Sequence, residues 1–242
     1  MNMQFSKKML ESGKNALYLV GVLWIVHTFQ FFSGIDLGFL GIFPREAWGL
    51  KGIIAAPLVH ADWHHLFSNT IPLLILTTTI FLFYNRVALR SFLMIYFLTG
   101  ITVWIFARDV FHIGASGVVY GLVSFIFWNG IFRRSLQAIV LALIITFLYS
   151  GYFAGILPNQ EGISWESHLL GGLVGIFVAY YFKEEIELEE KTQMAFWERE
   201  PQQEATYFLD RDVFDKTIEE RRREEEQKNY PDWYSSSTYD DW

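Results

Sequence analysis

The chain has 242 residues, 52% of them apolar and 18% aromatic, with a mean hydropathy of +0.23, a composition that fits one membrane-embedded domain better than a soluble core. The net charge of −7 is unevenly spread: residues 183–242 hold 19 of the 26 acids and 9 of the 19 bases, which puts that tail at −10 and residues 1–182 at +3, a balance that points away from nucleic acid. No cysteine is present, so a disulfide, a thiolate nucleophile and an iron–sulfur site are excluded.

A bilayer core about 30 Å thick takes roughly 20 apolar helical residues, and stretches near that length recur six times. Residues 1–14 carry Lys7, Lys8 and Lys14 and read as a charged N-terminus. The first span is expected at 15–33; it lacks a small-x-small cleavage site, which argues against a signal peptide. Residues 34–63, with Pro44, Trp48 and Pro57 among glycines, read as a long outer loop at the interface, where Trp and Tyr reside by preference. Further spans are expected at 64–84, 91–107, 113–132, 136–153 and 166–182, giving an all-α, polytopic bundle of six transmembrane helices.

Residues 183–242 read as an acidic, solvated tail, with Glu184 to Lys191 and Ile218 to Lys228 able to form helix. Its aromatics, Phe196, Trp197, Tyr207, Phe208, Phe214, Trp233 and Trp242, exceed what a solvated tail needs and leave room for a soluble partner.

Basic residues near the span ends set direction. Lys7, Lys8 and Lys14 precede span one, Arg86 and Arg90 separate two from three, Arg133 and Arg134 separate four from five, and Lys183 follows six, all on one side. The other side has Arg45, Lys51 and Arg108, offset by Asp36, Glu46, Asp62, Asp109, Glu161 and Glu166. The excess marks the cytoplasmic side. Both termini are then expected in the cytoplasm, with the chain in the plasma (inner) membrane.

Polar groups at membrane depth are costly and need a partner or a purpose. Counted at 1.5 Å per residue from the next cytoplasmic-side base, Asn69 and Ser116 lie about 26 Å away and His168 about 22 Å away. Three groups from three helices thus share a level near the outer face, with His65 a turn higher. A serine hydroxyl becomes a nucleophile when a neutral imidazole takes its proton, and His168 stands at the right depth to do so. His65 and Asn69, four residues apart on one helical face, can both donate to a developing oxyanion, with the Ser116 N–H as a further donor. No Asp or Glu lies at this depth, so a Ser-His dyad is the consistent form. Gly117 and Gly121, and again Gly171 and Gly175, are spaced as GxxxG faces that let helices approach closely. Tyr120, one turn below Ser116, is placed to pack against the imidazole.

Gly114-Ala115-Ser116-Gly117, then His168 followed by Gly171 and Gly175, and the spaced His60, His65 and Asn69 together resemble the rhomboid intramembrane proteases, over residues 15–182. The resemblance implies Ser116 as nucleophile, His168 as base, His65 and Asn69 as oxyanion donors and His60 as a structural residue. It also implies transmembrane protein substrates cleaved near the outer face, with no cofactor. Many bacterial relatives carry a Trp-Arg pair in the first outer loop, whereas this loop has Arg45 and Trp48 in the opposite order. Its position and substrate preference are therefore not carried over.

Other readings compete. A single Ser or Asn in a membrane helix usually bonds its own backbone or a neighbouring helix. His60 and His64 share the i, i+4 spacing of zinc ligands, but HExxH and a further ligand are missing, so no metal is expected. His27 and His112 read as structural or interfacial. A non-catalytic relative that binds membrane helices is the alternative function, and a transporter would require ionisable groups at mid-membrane, where none is found.

Overall fold

The computed structural model describes residues 3–134, 136–157, 164–185 and 216–229. Its contacts group the chain into two units, Met1–Met194 and Ala195–Trp242. The first is a bundle of α1 (Met3–Ser33), α3 (Trp63–Phe83), α4 (Ala88–Phe106), α5 (Ser116–Arg133), α6 (Leu136–Leu148) and α7 (Trp165–Tyr181), with the four-residue α2 (Gly52–Ala55) on the segment between α1 and α3. Among the described residues no strand forms; Ile42 and His112 make one isolated antiparallel bridge.

Helix α1 begins twelve residues before the expected span, because Lys7, Lys8, Glu11 and Lys14 are themselves good helix formers and extend it ahead of the apolar run. Helix α6 stops at Leu148, short of the expected 153, and the chain tightens into a 3-10 segment over Ser150–Ile156, where Gly151 and Gly155 weaken an α-helix. The other spans fall within three residues of their expected limits.

Taken alone, Ser6–Ser33, Trp63–Phe83 and Ala88–Phe106 are long and apolar enough to cross a membrane. Helix α5 needs less apolar surface because its neighbours shield it. It packs against α3, α4, α6 and α7, and Val119, Leu122, Phe125 and Ile126 are fully buried.

Helices α5 and α7 meet backbone to backbone. A Cβ on Gly171 would lie 2.1 Å from the Gly117 carbonyl oxygen, and one on Gly175 would lie 2.3 Å from that of Gly121. The Ser124 hydroxyl donates to the Gly172 carbonyl at 2.7 Å across the same seam. On the other flank, Trp24 Nε1 of α1 donates to Thr70 Oγ1 of α3 at 3.1 Å. Such contacts hold helices together where lipid supplies no hydrophobic drive.

Residues 34–62 fold back over the end of α4. Arg45, at φ +60°, donates through Nη1 to the carbonyls of Ile105 (3.2 Å) and Ala107 (2.7 Å) and pairs with Asp109, so a cation covers the carbonyl end of a helix. Trp104 Nε1 returns a bond to the Glu46 carbonyl at 2.9 Å. Gly49 and Gly52 fit against the backbone of Phe43 and Gly41 with no space for a Cβ. The segment is thus a packed cap of short helical turns. At the opposite end Arg90 pairs with Glu185, and Arg133 donates to the Glu185 carbonyl, so the basic residues that flank different spans converge.

Within the second unit the described segment is α8 (Ile218–Asn229). Thr217 and Glu220 form a reciprocal capping box at its start. The expected helix at Glu184 to Lys191 falls, beyond residue 185, outside the described residues, as do the seven tail aromatics named above.

Two measurements test this packing. Replacing Gly171 by Val should lower the unfolding midpoint in detergent by many degrees, while Gly172→Ala, whose added Cβ meets nothing within 4 Å, should leave it unchanged or raise it through a stability gain of about 0.5–1 kcal/mol; equal effects would refute the seam. His60 is fully buried in the cap, and burial, then the nearby His65, hold its pKa down from 6.5 to about 4. The folded state therefore rejects a proton that the unfolded chain accepts. His60 contributes stability that is complete above pH 6.5 and is lost as pH falls through about 4. The unfolding midpoint in detergent should drop across that window, and the drop should be shallower in His60→Gln.

Candidate active site

Ser116 is the first residue of α5, and the turn before it depends on Gly114, whose φ is +101°. That conformation suits glycine. Space demands it as well, since a Cβ there would sit 2.6 Å from Cε1 and Nε2 of His65. The Gly114 N–H donates to the Ala56 carbonyl at 2.9 Å, which ties the turn to the cap formed by residues 34–62.

The starts of α3 and α7 are capped by side chains. Asp62 Oδ1 accepts from the His65 N–H at 2.8 Å, and Ser164 Oγ from the Ser167 N–H at 3.4 Å. Helix α5 has no side-chain cap. Its first-turn N–H groups, Ser116 among them, keep the electropositive character of a free helix start.

His168 stands one turn into α7, 7% exposed. Its Nε2 lies 2.8 Å from Ser116 Oγ and its Nδ1 2.8 Å from the Gly155 carbonyl oxygen. A carbonyl only accepts, so Nδ1 carries the proton and Nε2 accepts from the Ser116 hydroxyl. Tyr120 stacks on the imidazole at 4.1 Å between centroids and 9° between planes. Gly155 closes the arrangement tightly, because a Cβ there would meet the Tyr120 hydroxyl at 2.1 Å. An apolar cavity of about 350 Å³ lies between α5, α6 and α7 and is bordered by Tyr120, Tyr149, Ile156 and Leu169.

His65 faces the Gly114 turn, and its ring meets that of His60 at 5.0 Å between centroids. Asn69 is buried, and its Nδ2 donates to the His65 carbonyl of its own helix at 2.8 Å. Ser116, His168 and Tyr120 are therefore joined in direct contact, with His65 against the Gly114 turn that precedes Ser116. Asn69 lies one turn along α3 with one amide hydrogen committed to the helix. Gly117, Gly121, Gly171 and Gly175 lie at the α5–α7 seam. Among the described residues no group of His, Asp or Glu forms a metal site.

Sequence reasoning missed Gly155, because its part is played by a backbone carbonyl that no residue type announces. It also left His112 without a partner. Its Nδ1 lies 2.6 Å from Ser164 Oγ and its Nε2 3.0 Å from the Arg108 carbonyl oxygen. The pairing of a histidine two residues before Gly114 with a serine four residues before His168 was the available signal.

Comparison with known proteins gives a match to the rhomboid domain over residues 44–185. An uncharacterized protein of Mycobacterium bovis is 36% identical over 177 residues, 69% of this chain and 74% of the relative, with the same values for one of Mycobacterium tuberculosis. An uncharacterized protein of Mycobacterium leprae is 31% identical over 181 residues, 69% of this chain and 70% of the relative. With more than half of its length matched by that domain and an all-α bundle of apolar helices around the match, the chain belongs to the rhomboid family and is an integral membrane protein.

Proposed function

We propose that the protein is an intramembrane serine endopeptidase that hydrolyses peptide bonds in or near transmembrane segments of other membrane proteins. The observation that carries this reading is the 2.8 Å contact between His168 Nε2 and Ser116 Oγ, with Nδ1 already held by the Gly155 carbonyl. The base is thereby fixed in the tautomer that can take the serine proton.

In this mechanism Ser116 Oγ attacks the scissile carbonyl carbon while its proton passes to His168 Nε2. The negative charge on the carbonyl oxygen is met by the uncapped Ser116 N–H, by His65 and by the free amide hydrogen of Asn69. Collapse breaks the C–N bond, and His168 returns the proton to the leaving amine. Water then attacks the acyl ester, gives its proton to His168, and the second product leaves as Ser116 Oγ is reprotonated. Tyr120, stacked on the ring, keeps the imidazole in plane through both steps.

The convergence of Arg90, Arg133 and Glu185 at one end supports a cytoplasmic placement of that end and of both termini. The dyad then opens to the outer side of the plasma (inner) membrane. Residues 15–182 serve as the catalytic membrane domain and 183–242 as an acidic tail available to a soluble partner.

A fluorophosphonate probe should label the purified protein at Ser116, and Ser116→Ala should abolish labelling. His168→Ala should slow labelling by about 10²–10⁴-fold with its unfolding midpoint nearly kept; labelling of the alanine variant at position 116 would sink the reading. Gly155→Ala should slow it as well, because the new methyl group drives Tyr120 off the imidazole.

A further inference from the structure

The connection from α4 to α5 does more than deliver Ser116 to its helix. His112 within it is 3% exposed and is pinned at four points. Its N–H and C=O pair with those of Ile42 at 2.9 Å each. Its Nε2 faces the Arg108 carbonyl, so it carries the proton and donates, and Nδ1 accepts from the Ser164 hydroxyl at 2.6 Å. Burial pushes the His112 pKa below the ordinary histidine value, which keeps the ring neutral and preserves that tautomer near neutral pH.

Ser164 is the residue through which α7 begins. Its hydroxyl also lies 2.6 Å from Ser167 Oγ and caps the Ser167 N–H, and its carbonyl accepts from the His168 N–H at 3.3 Å. A second strut runs in parallel, from Arg108 Nε to Glu166 Oε1 at 3.2 Å, with the Glu166 side chain only 9% exposed. The backbone position of His168 is therefore coupled to the loop that carries Gly114 and Ser116 by groups that touch neither Ser116 Oγ nor the His168 ring.

We infer that His112 is a positioning residue for the dyad, holding the first turn of α7 through Ser164 so that His168 stays in hydrogen-bond reach of Ser116. The inference rests on the protease reading and adds to it the part that holds two helices in register at the reacting atoms. Its physical basis is the steep dependence of proton transfer on placement, where a shift of about 1 Å costs about 10²-fold.

The two ring nitrogens can be removed separately. The side-chain oxygen of Asn occupies the place of Nδ1 and can still accept from Ser164, whereas the Gln amide occupies the place of Nε2 and can still donate to Arg108. For the full-length protein in detergent, the maximal rate of fluorophosphonate labelling should fall by about 10- to 100-fold in His112→Ala and in His112→Gln. The half-saturating probe concentration should change by less than about twofold, because an effect confined to the reacting geometry leaves ground-state binding alone. His112→Asn should recover most of the rate. Ser164→Ala should match His112→Ala, and the double variant should lose little more than either single one, as expected for one shared interaction. Asn and Gln variants that label at equal rates, or losses in Ala and Gln that follow the folded fraction measured by thermal unfolding, would overturn the inference while leaving the protease reading intact. A wild-type chain that never labels overturns both.

Discussion

The rest of the structure depends on how closely α5 and α7 approach. At Gly171 and Gly175 the facing carbonyls of α5 stand where any side chain's first carbon would go. In lipid there is little hydrophobic gain in pressing two helices together, so contact must come from dispersion and from polar groups meeting across a thin gap. The Ser124 bond to the Gly172 carbonyl is one such group. The contact between Ser116 and His168 lies along the same seam, toward the N-terminal ends of both helices, and a seam widened by one methyl group would hold the two atoms apart. Packing and the proposed chemistry are therefore one constraint.

The cap formed by residues 34–62 follows from that constraint. Helices that meet tightly along their length still need their ends placed, and the loop that leads into α5 carries backbone groups that must find partners. The cap supplies them through short-range geometry. Ala56 receives the Gly114 N–H, Ile42 pairs with His112, and Arg45 closes the carbonyl end of α4 from which the loop to Ser116 departs. The aromatic group of Phe43, Trp48 and Phe111 covers this network from the side. A segment that looks irregular by its short turns is thus held as firmly as a helix, and Arg45 occupies a structural post that no motif in the loop announces.

Much of this was legible in the chain itself. Apolar runs and their basic flanks gave the spans and a common depth for Ser116 and His168, because helical rise converts sequence distance into height with little error. The glycine spacing foretold which helices meet. Less legible was where helices end, since α1 runs on through lysines that favour helix as much as they favour water, and α6 gives way to a tighter turn at glycines that a hydropathy run passes over. Backbone partners were invisible. Gly155 contributes through its carbonyl, and Asn69 commits one amide hydrogen to its own helix, which residue types alone do not disclose.

Among the described residues the His168 ring is bonded by Gly155 and Ser116 and by no carboxylate, which has a physical reading. An orienting carboxylate would have to remain ionised in a buried, partly apolar setting, where desolvating a charge costs several kcal/mol unless it is fully paired. A backbone carbonyl orients the ring through the same nitrogen with no net charge to desolvate, and Gly155 offers one at 2.8 Å. What the carbonyl gives up is strength, because a neutral acceptor stabilises an imidazolium less than a carboxylate does. In the proposed mechanism, stacking by Tyr120 and the hold of His112 on α7 through Ser164 make up for that in geometry. In that mechanism, accuracy of placement, supplied by close-packed glycines and by the cap, stands where another hydrolase would use a third charged group.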